Sequence, residues 1–189
     1  MICVIHAHPY PRHSRACRAL LEAIRPIPDL EVRSLYDLYP DFDIDIAVEQ
    51  DALARAQLVV WLHPLYWYSV PGLMKHWFDK VLERGWAYGE TGTALQGKHC
   101  LWVPSVGGPE DTYAQGRTNL LPFKHYVGPV EQTARYCGME WEEPFVVFGA
   151  LTITDDGLAD YARRLRVRIG GWTDAHDWRS PVEAEGIAP

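Results

Sequence analysis

The sequence predicts an α/β protein, a doubly wound five-stranded parallel sheet in the order 2-1-3-4-5 with helices on both faces. Two observations carry this. Short, continuous apolar runs recur along the chain, as in strands covered on both sides, and segments with the apolar spacing of amphipathic helices lie between them. That alternation requires right-handed crossovers within one sheet. The order 2-1-3-4-5 puts the one charged strand at an edge and leaves a ligand crevice at the carboxyl ends of the central strands.

The apolar runs are Ile2 to Ile5, Leu58 to Leu62, Cys100 to Val103 and Phe145 to Phe148, giving strands one, three, four and five. Strand two, Leu30 to Leu38, is interrupted by Glu31, Arg33 and Asp37 and suits an edge. In the first helix Cys17, Leu20, Leu21 and Ile24 line one face behind Ser14 as N-cap. Asp45 caps a second helix running toward Ala56. Pro71 opens a third, with Leu73, Met74, Trp77, Phe78, Val81 and Leu82 on a broad apolar face and Gly85 as its stop. Val130, Ala134 and Cys137 mark a fourth ending at Gly138, and Thr154 with Asp155 and Asp156 starts a fifth carried by Leu158, Tyr161, Leu165, Ile169 and Trp172. The polar, Gly-containing stretch from Gly108 to Lys124 is long enough to be functional.

With 189 residues the chain makes one domain, expected over 1–178, followed by a polar tail at 179–189. At 48% hydrophobic and 23% charged it is neither disordered nor fibrous. Its net charge of -7 argues against sequence-independent nucleic-acid binding, which needs excess Lys and Arg. The four cysteines lie in apolar runs without a C-x-x-C pair, which predicts a reduced, cytoplasmic setting. The opening residues go straight into a strand-like run, so no secretory leader is expected, and no apolar stretch is long enough to span a bilayer.

Three loops fall at the carboxyl ends of the strands. The first, His6-Ala7-His8-Pro9-Tyr10-Pro11-Arg12-His13-Ser14-Arg15, lacks both G-x-G-x-x-G and Walker A. It offers imidazoles, a hydroxyl and guanidinium groups where a helix begins, the setting of an anion site for a phosphate monoester. A plain N-capped helix with solvated basic residues fits the same residues equally well. His6 and His8 lack neighbouring acidic or thiol partners, and no metal site is expected. The second loop, His63 to Pro71, carries Tyr66, Trp67 and Tyr68 in succession on a Pro-bracketed turn. Such a platform suits a flat π-system or a partner subunit, and an aromatic plug over the sheet end is the alternative. The third, Pro104 to Pro109, places Gly107 and Gly108 where backbone N–H groups can approach a ring that gains negative charge on reduction, although a tight turn explains the pair too. A phosphate end, an aromatic wall and a backbone-donor edge together have the shape of an FMN site.

The run Pro64 to Lys75, followed by Trp77-Phe78-Asp79-Lys80-Val81 and Gly85-Trp86-Ala87-Tyr88-Gly89, resembles the flavodoxin-like NAD(P)H:quinone oxidoreductases. Within them, His6-Ala7-His8-Pro9, Tyr39-Pro40-Asp41-Phe42-Asp43-Ile44-Asp45 and Tyr136-Cys137-Gly138-Met139 resemble the KefF-type ancillary flavoproteins of glutathione-gated potassium efflux. The resemblance implies FMN held at the phosphate by His8, Ser14, Arg15, Ala16 and Cys17, flanked by Leu65, Tyr66, Trp67 and Tyr68, and met at its pyrimidine edge by Ser105, Val106, Gly107 and Gly108. It implies catalytic roles for Tyr113, over the flavin, and for Trp67, at the acceptor pocket. It further implies ping-pong hydride transfer from NAD(P)H to a quinone, a homodimer sharing its sites, and docking on a potassium efflux antiporter at the inner face of the cell membrane. The chain departs from the family pattern at Cys17, where relatives carry Asn, at Ser105-Val106, where they carry Thr-Thr, and after Tyr113, where Arg117 stands near the place of a histidine.

Overall fold

A computed structural model describes residues 1–114 and 117–175, so the tail expected at 179–189 lies outside the described residues. The strands are β1 (Ile2–His6), β2 (Leu30–Ser34), β3 (Leu58–Pro64), β4 (His99–Ser105) and β5 (Glu140–Trp141). All pair in parallel in the order β2-β1-β3-β4-β5. The helices are α1 (Arg15–Ile24), α2 (Leu35–Leu38), α3 (Ile46–Arg55), α4 (Gly72–Val81), α5 (Lys124–Tyr136) and α6 (Asp155–Ala175), with short 3-10 turns at Pro11–His13 and Glu110–Tyr113.

Alternation along the strands divides the core into two layers, as a two-residue side-chain period demands. Ile2, Val4, Leu58, Val60, Leu62, Leu101 and Val103 pack under α1 and α6 against Leu20, Ile24, Leu165 and Ile169. Cys3, Ile5, Val59, Trp61, Cys100 and Trp102 face the other way, onto α3, α4 and α5. Caps follow the local sequence. Asp45 Oδ1 accepts the Val48 N–H at 3.1 Å and Thr154 Oγ1 accepts that of Gly157 at 3.1 Å.

Three elements differ from the sequence reading. Strand two stops at Ser34, because Leu35–Leu38 curls into a helical turn that buries Leu35. The fifth strand is assigned at Glu140–Trp141, ahead of the apolar run. Glu142, Phe145 and Val147 donate in turn to the carbonyls of Cys100, Trp102 and Pro104, so the edge segment spends three residues, including Pro144, where β4 spends two. This bulge breaks the ladder before Phe145. Helix α4 ends at Val81, and Gly85, at φ +89°, closes the next turn by donating to the Tyr88 carbonyl.

The broad face of α4 is consumed inside the chain: Leu73, Met74, Trp77, Phe78, Val81 and Leu82 are all buried. This face, wide enough to suggest a subunit contact as well as a core, therefore leaves no free surface for one. Beside that face lies a buried carboxylate. Glu49 accepts from Arg33 Nη2 at 2.6 Å, Tyr39 Oη at 2.7 Å and Trp77 Nε1 at 2.9 Å, which satisfies a charge wholly removed from water.

Candidate functional site

The first strand delivers the chain to the 3-10 turn Pro11–His13, and Ser14 in extended conformation (φ -77°) starts α1. No acidic residue occupies the first turn of α1, so its positive end is uncompensated and the amides of Arg15, Ala16 and Cys17 have no intrahelical acceptor. Ser14 stands at the N-cap, yet its side chain makes no cap bond, and among the described residues its buried Oγ has only the weak Cys17 thiol near it and no hydrogen bond of good geometry. A buried hydroxyl costs free energy in that state unless a ligand completes it.

This helix end opens into a cleft of about 440 Å³. It is lined by His8, Ser14, Arg15 and Ala16, by Leu65 and Tyr66 of the second loop, by Ser105 and Gly107 of the third, and by Ala150 and Leu151. The His8 Nδ1 accepts the Tyr10 N–H at 3.0 Å, which leaves Nε2–H as the donor of a neutral ring. Burial lowers its pKa below the usual 6.5, although the bond to Tyr10 opposes the shift. Arg15 lines the cleft too, with part of its guanidinium already engaged. Its guanidinium donates to the Ile153 carbonyl and to Asp155 Oδ1, each at 2.6 Å, and so ties α1 to the segment carrying Ala150 and Leu151. Cys17 Sγ lies 3.4 Å from Ser105 Oγ, and burial raises its pKa, keeping it a neutral thiol that links the first loop to β4.

The second loop is a two-residue hairpin. Tyr66 and Ser69 exchange both backbone hydrogen bonds at 3.0 Å, and the central residues Trp67 and Tyr68 have φ +49° and +65°. Positive φ at both centres marks a type I′ turn, which ordinarily selects Asn and Gly. Here two aromatic residues occupy it at a steric cost. Trp67 is 91% exposed, so no contact within the chain repays that cost. Tyr68 stacks on Tyr126 with centroids 5.0 Å apart.

In the third loop Val106 is fully buried and its backbone is engaged at both ends, the N–H with the Val147 carbonyl and the carbonyl with the Ala150 N–H. It therefore braces the loop and offers the cleft nothing. Gly107 lines the cleft, and a Cβ there would lie 3.1 Å from Leu151 Cδ1. At Gly108 a Cβ would lie 2.9 Å from Thr112 Oγ1, so any larger residue would push the Thr112 side chain of the following turn aside. Tyr113 ends that turn. Its ring meets Phe123 and Tyr126 edge-on at 5.6 and 6.0 Å and reaches the hairpin through the Tyr126–Tyr68 stack. Burial, then the neighbouring Tyr68 and Tyr126, raise its pKa above 10, so the phenol stays protonated.

The structure thus brings His8, Ser14, Arg15, Ala16, Leu65, Tyr66, Ser105 and Gly107 to one cleft, adds the Cys17 amide at its anion end, and sets Trp67, Tyr68 and Tyr113 on an adjoining aromatic ridge. Ala150 and Leu151 were not foreseen, since a small and an aliphatic residue in a turn carry no sequence signal of a ligand wall. The residues fit FMN: a poorly satisfied buried hydroxyl beside open helix amides suits its phosphate, and no second nucleotide fingerprint is present.

A doubly wound sheet that opens a helix N-terminus, an aromatic turn and a glycine loop onto one crevice belongs to the class of α/β proteins that bind ligands at the carboxyl edge of the sheet. The chain is a member of the flavodoxin-like fold family, whose model matches residues 1–169. The glutathione-regulated potassium-efflux system ancillary protein KefF of Salmonella typhimurium is 48% identical over 176 residues, which cover 93% of this chain and 99% of that protein. A crystal structure described as a thermophilic tryptophan halogenase from Streptomycin violaceusniger is 36% identical, with a TM-score of 0.85 over 88% of this chain and 97% of that one. The general stress protein 14 of Treponema denticola, in complex with FMN, is 32% identical, with a TM-score of 0.81 over 92% of this chain and 98% of that one. Their names differ in activity, and their folds agree. Among the described residues no helix is long and apolar enough to cross a membrane.

Proposed function

We propose that the protein is an FMN-dependent NAD(P)H:quinone oxidoreductase that reduces quinones or similar electrophiles by two electrons in a ping-pong cycle. The observation that carries this is the poorly satisfied Ser14 hydroxyl beside the open amides of α1, in one cleft with the root of the aromatic hairpin and Gly107. Support comes from the FMN held by a 32% identical protein of the same fold and from the resemblance of the 64–89 segment to quinone reductases.

Bound FMN would supply the two-electron carrier between nicotinamide and acceptor. The chain's own residues do the rest. Ser14 Oγ, the amides of residues 15–17 and His8 Nε2–H would hold the FMN phosphate, and the Gly107 N–H would be a donor available to a ring that gains negative charge. Trp67 walls the acceptor pocket. The Tyr113 phenol, protonated at neutral pH, donates a hydrogen bond or a proton to the acceptor oxygen. The exposed Tyr66 and Tyr68 beside Trp67 meet a second subunit, giving a homodimer with shared sites.

A second reading is favoured by the 48% identical potassium-efflux ancillary protein: a cytoplasmic regulatory subunit that docks on a glutathione-gated potassium efflux antiporter, its flavin chemistry secondary. Co-purification with such an antiporter supports docking, whereas rapid quinone turnover without one supports the free enzyme. The deciding experiment is the visible spectrum of the purified protein, with anaerobic bleaching by NADPH and recolouring by a quinone. A colourless protein whose tryptophan fluorescence is unmoved by added FMN would refute the proposal. Tyr113→Phe should slow recolouring and leave bleaching unchanged; equal slowing of both would remove Tyr113 as donor.

A further inference from the structure

Behind the hairpin lies a buried polar chain that no loop motif announces. His63, near the end of β3, has no solvent exposure. Its Nε2 accepts the Trp102 indole N–H at 2.8 Å, and its Nδ1 lies 2.9 Å from the Pro64 carbonyl oxygen. A carbonyl only accepts, so Nδ1 carries the proton and the ring is neutral in a single tautomer. Burial supports this by pushing its pKa down to about 4.

The bond to Pro64 matters because of the peptide it holds. The Pro64 carbonyl and the Leu65 N–H belong to one peptide plane, and the Leu65 N–H donates to the Ser105 carbonyl at 2.8 Å. That plane is therefore gripped from both ends, by β3 through His63 and by β4 through Ser105. It is the root from which the hairpin departs, and one residue later Tyr66 enters a turn with positive φ at both centres. Such a turn relaxes if its base can rotate, and rotation would move Leu65 and Tyr66 away from the cleft they line.

We propose that His63 is a positioning residue, the buried clamp through which Trp102 and β4 fix the hairpin root and hold Leu65 and Tyr66 at the cleft. It touches no substrate. Only the affinity readout below rests on the reading of the cleft as an FMN site.

The test compares His63→Leu, which removes both bonds, with His63→Gln, whose amide can accept from Trp102 and donate to Pro64. Amide hydrogen exchange, read residue by residue in the whole protein, is measured first. In His63→Leu the Leu65, Tyr66 and Ser69 amides should exchange at least tenfold faster, with Val59 to Leu62 as protected as in wild type, and His63→Gln should stay within threefold of wild type. FMN affinity, read by tryptophan quenching, should follow the same order. Equal exchange at 65–69 in all three proteins, or faster exchange spread evenly over β3 and β4, would show that His63 merely fills space and would overturn the proposal. If His63→Leu does not fold, Trp102→Phe takes its place, and unchanged exchange at Leu65 and Ser69 in that variant overturns it equally. Wild type that binds no FMN refutes the functional reading alone, because the exchange measurement still judges the clamp.

Discussion

Truncating Trp67 should cost function and almost no stability. The side chain is 91% exposed, so of roughly 200 Å² it buries about 20 Å², worth about 0.5 kcal/mol. Trp67→Ala loses that and keeps the strain, because alanine also carries a Cβ at φ +49°. Trp67→Gly relieves about 1 to 2 kcal/mol of steric cost and gives back about 0.5 to 1 kcal/mol in unfolded-state entropy. Both variants should therefore unfold within about 1 kcal/mol of wild type, a Tm change of about 2 to 4 °C at this chain length, with the glycine variant the more stable. In turnover the expectation is opposite. A tryptophan face covering half its area on a ligand contributes about 2 kcal/mol, so kcat/KM for the quinone should fall about thirtyfold in both. Thermal unfolding by circular dichroism and steady-state kinetics should be compared at concentrations where sedimentation gives wild type and variants the same mass. A Tm loss beyond about 8 °C with unchanged kinetics in the folded fraction would show an aromatic plug and refute the reasoning.

Ser14→Ala removes a hydroxyl that has no hydrogen bond of good geometry, so the ligand-free protein should be at least as stable as wild type while FMN affinity falls by about 1 to 3 kcal/mol; isothermal titration and urea unfolding separate the two effects. Glu49→Gln leaves Arg33 without its closest carboxylate and should lower stability by about 3 to 5 kcal/mol in urea, whereas a loss under 1 kcal/mol would mean that Glu31 suffices for Arg33. His6 and His63 are buried neutral with pKa values lowered from 6.5 to about 4, by desolvation foremost. Since the unfolded chain binds the protons more readily, their contribution is complete above pH 6.5 and disappears as the pH falls toward 4, about 3 kcal/mol for each. Unfolding free energy measured from pH 7 to pH 4 should show this decline, and a flat profile would contradict it.

Much of this architecture is written in local pattern. Strands one, three and four are continuous apolar runs because both faces are covered, and Asp45 and Thr154 announce helices that they then cap. Two features depend on a partner distant in the chain. The Arg15 guanidinium reads as unengaged, yet Ile153 and Asp155, some 140 residues away, accept two of its N–H groups. His63 reads as one more loop histidine until Trp102 arrives from the next strand. The fifth strand begins earlier than its apolar run, at Glu140, and Pro144 interrupts the ladder with an extra residue before pairing with β4 resumes at Phe145 and Val147. At Trp67 and Tyr68 ordinary turn chemistry argues against the backbone conformation adopted, and a broken local rule of that kind is where function should be sought.

The interrupted edge at Pro144 has a counterpart across the sheet. An open parallel sheet exposes two rows of unpaired backbone groups that could recruit a strand from another molecule and propagate into fibres. Here β5 offers two residues before the bulge, and β2 carries Glu31 and Arg33, already tied to one another at 3.2 Å and to Arg55 and Glu49. A foreign strand would gain only a short ladder at one edge and would have to crowd a charged network at the other. Among the described residues the sheet stops at five strands, and neither edge is an inviting template, which favours assembly through helices and loops, where side chains choose the partner, over strand addition.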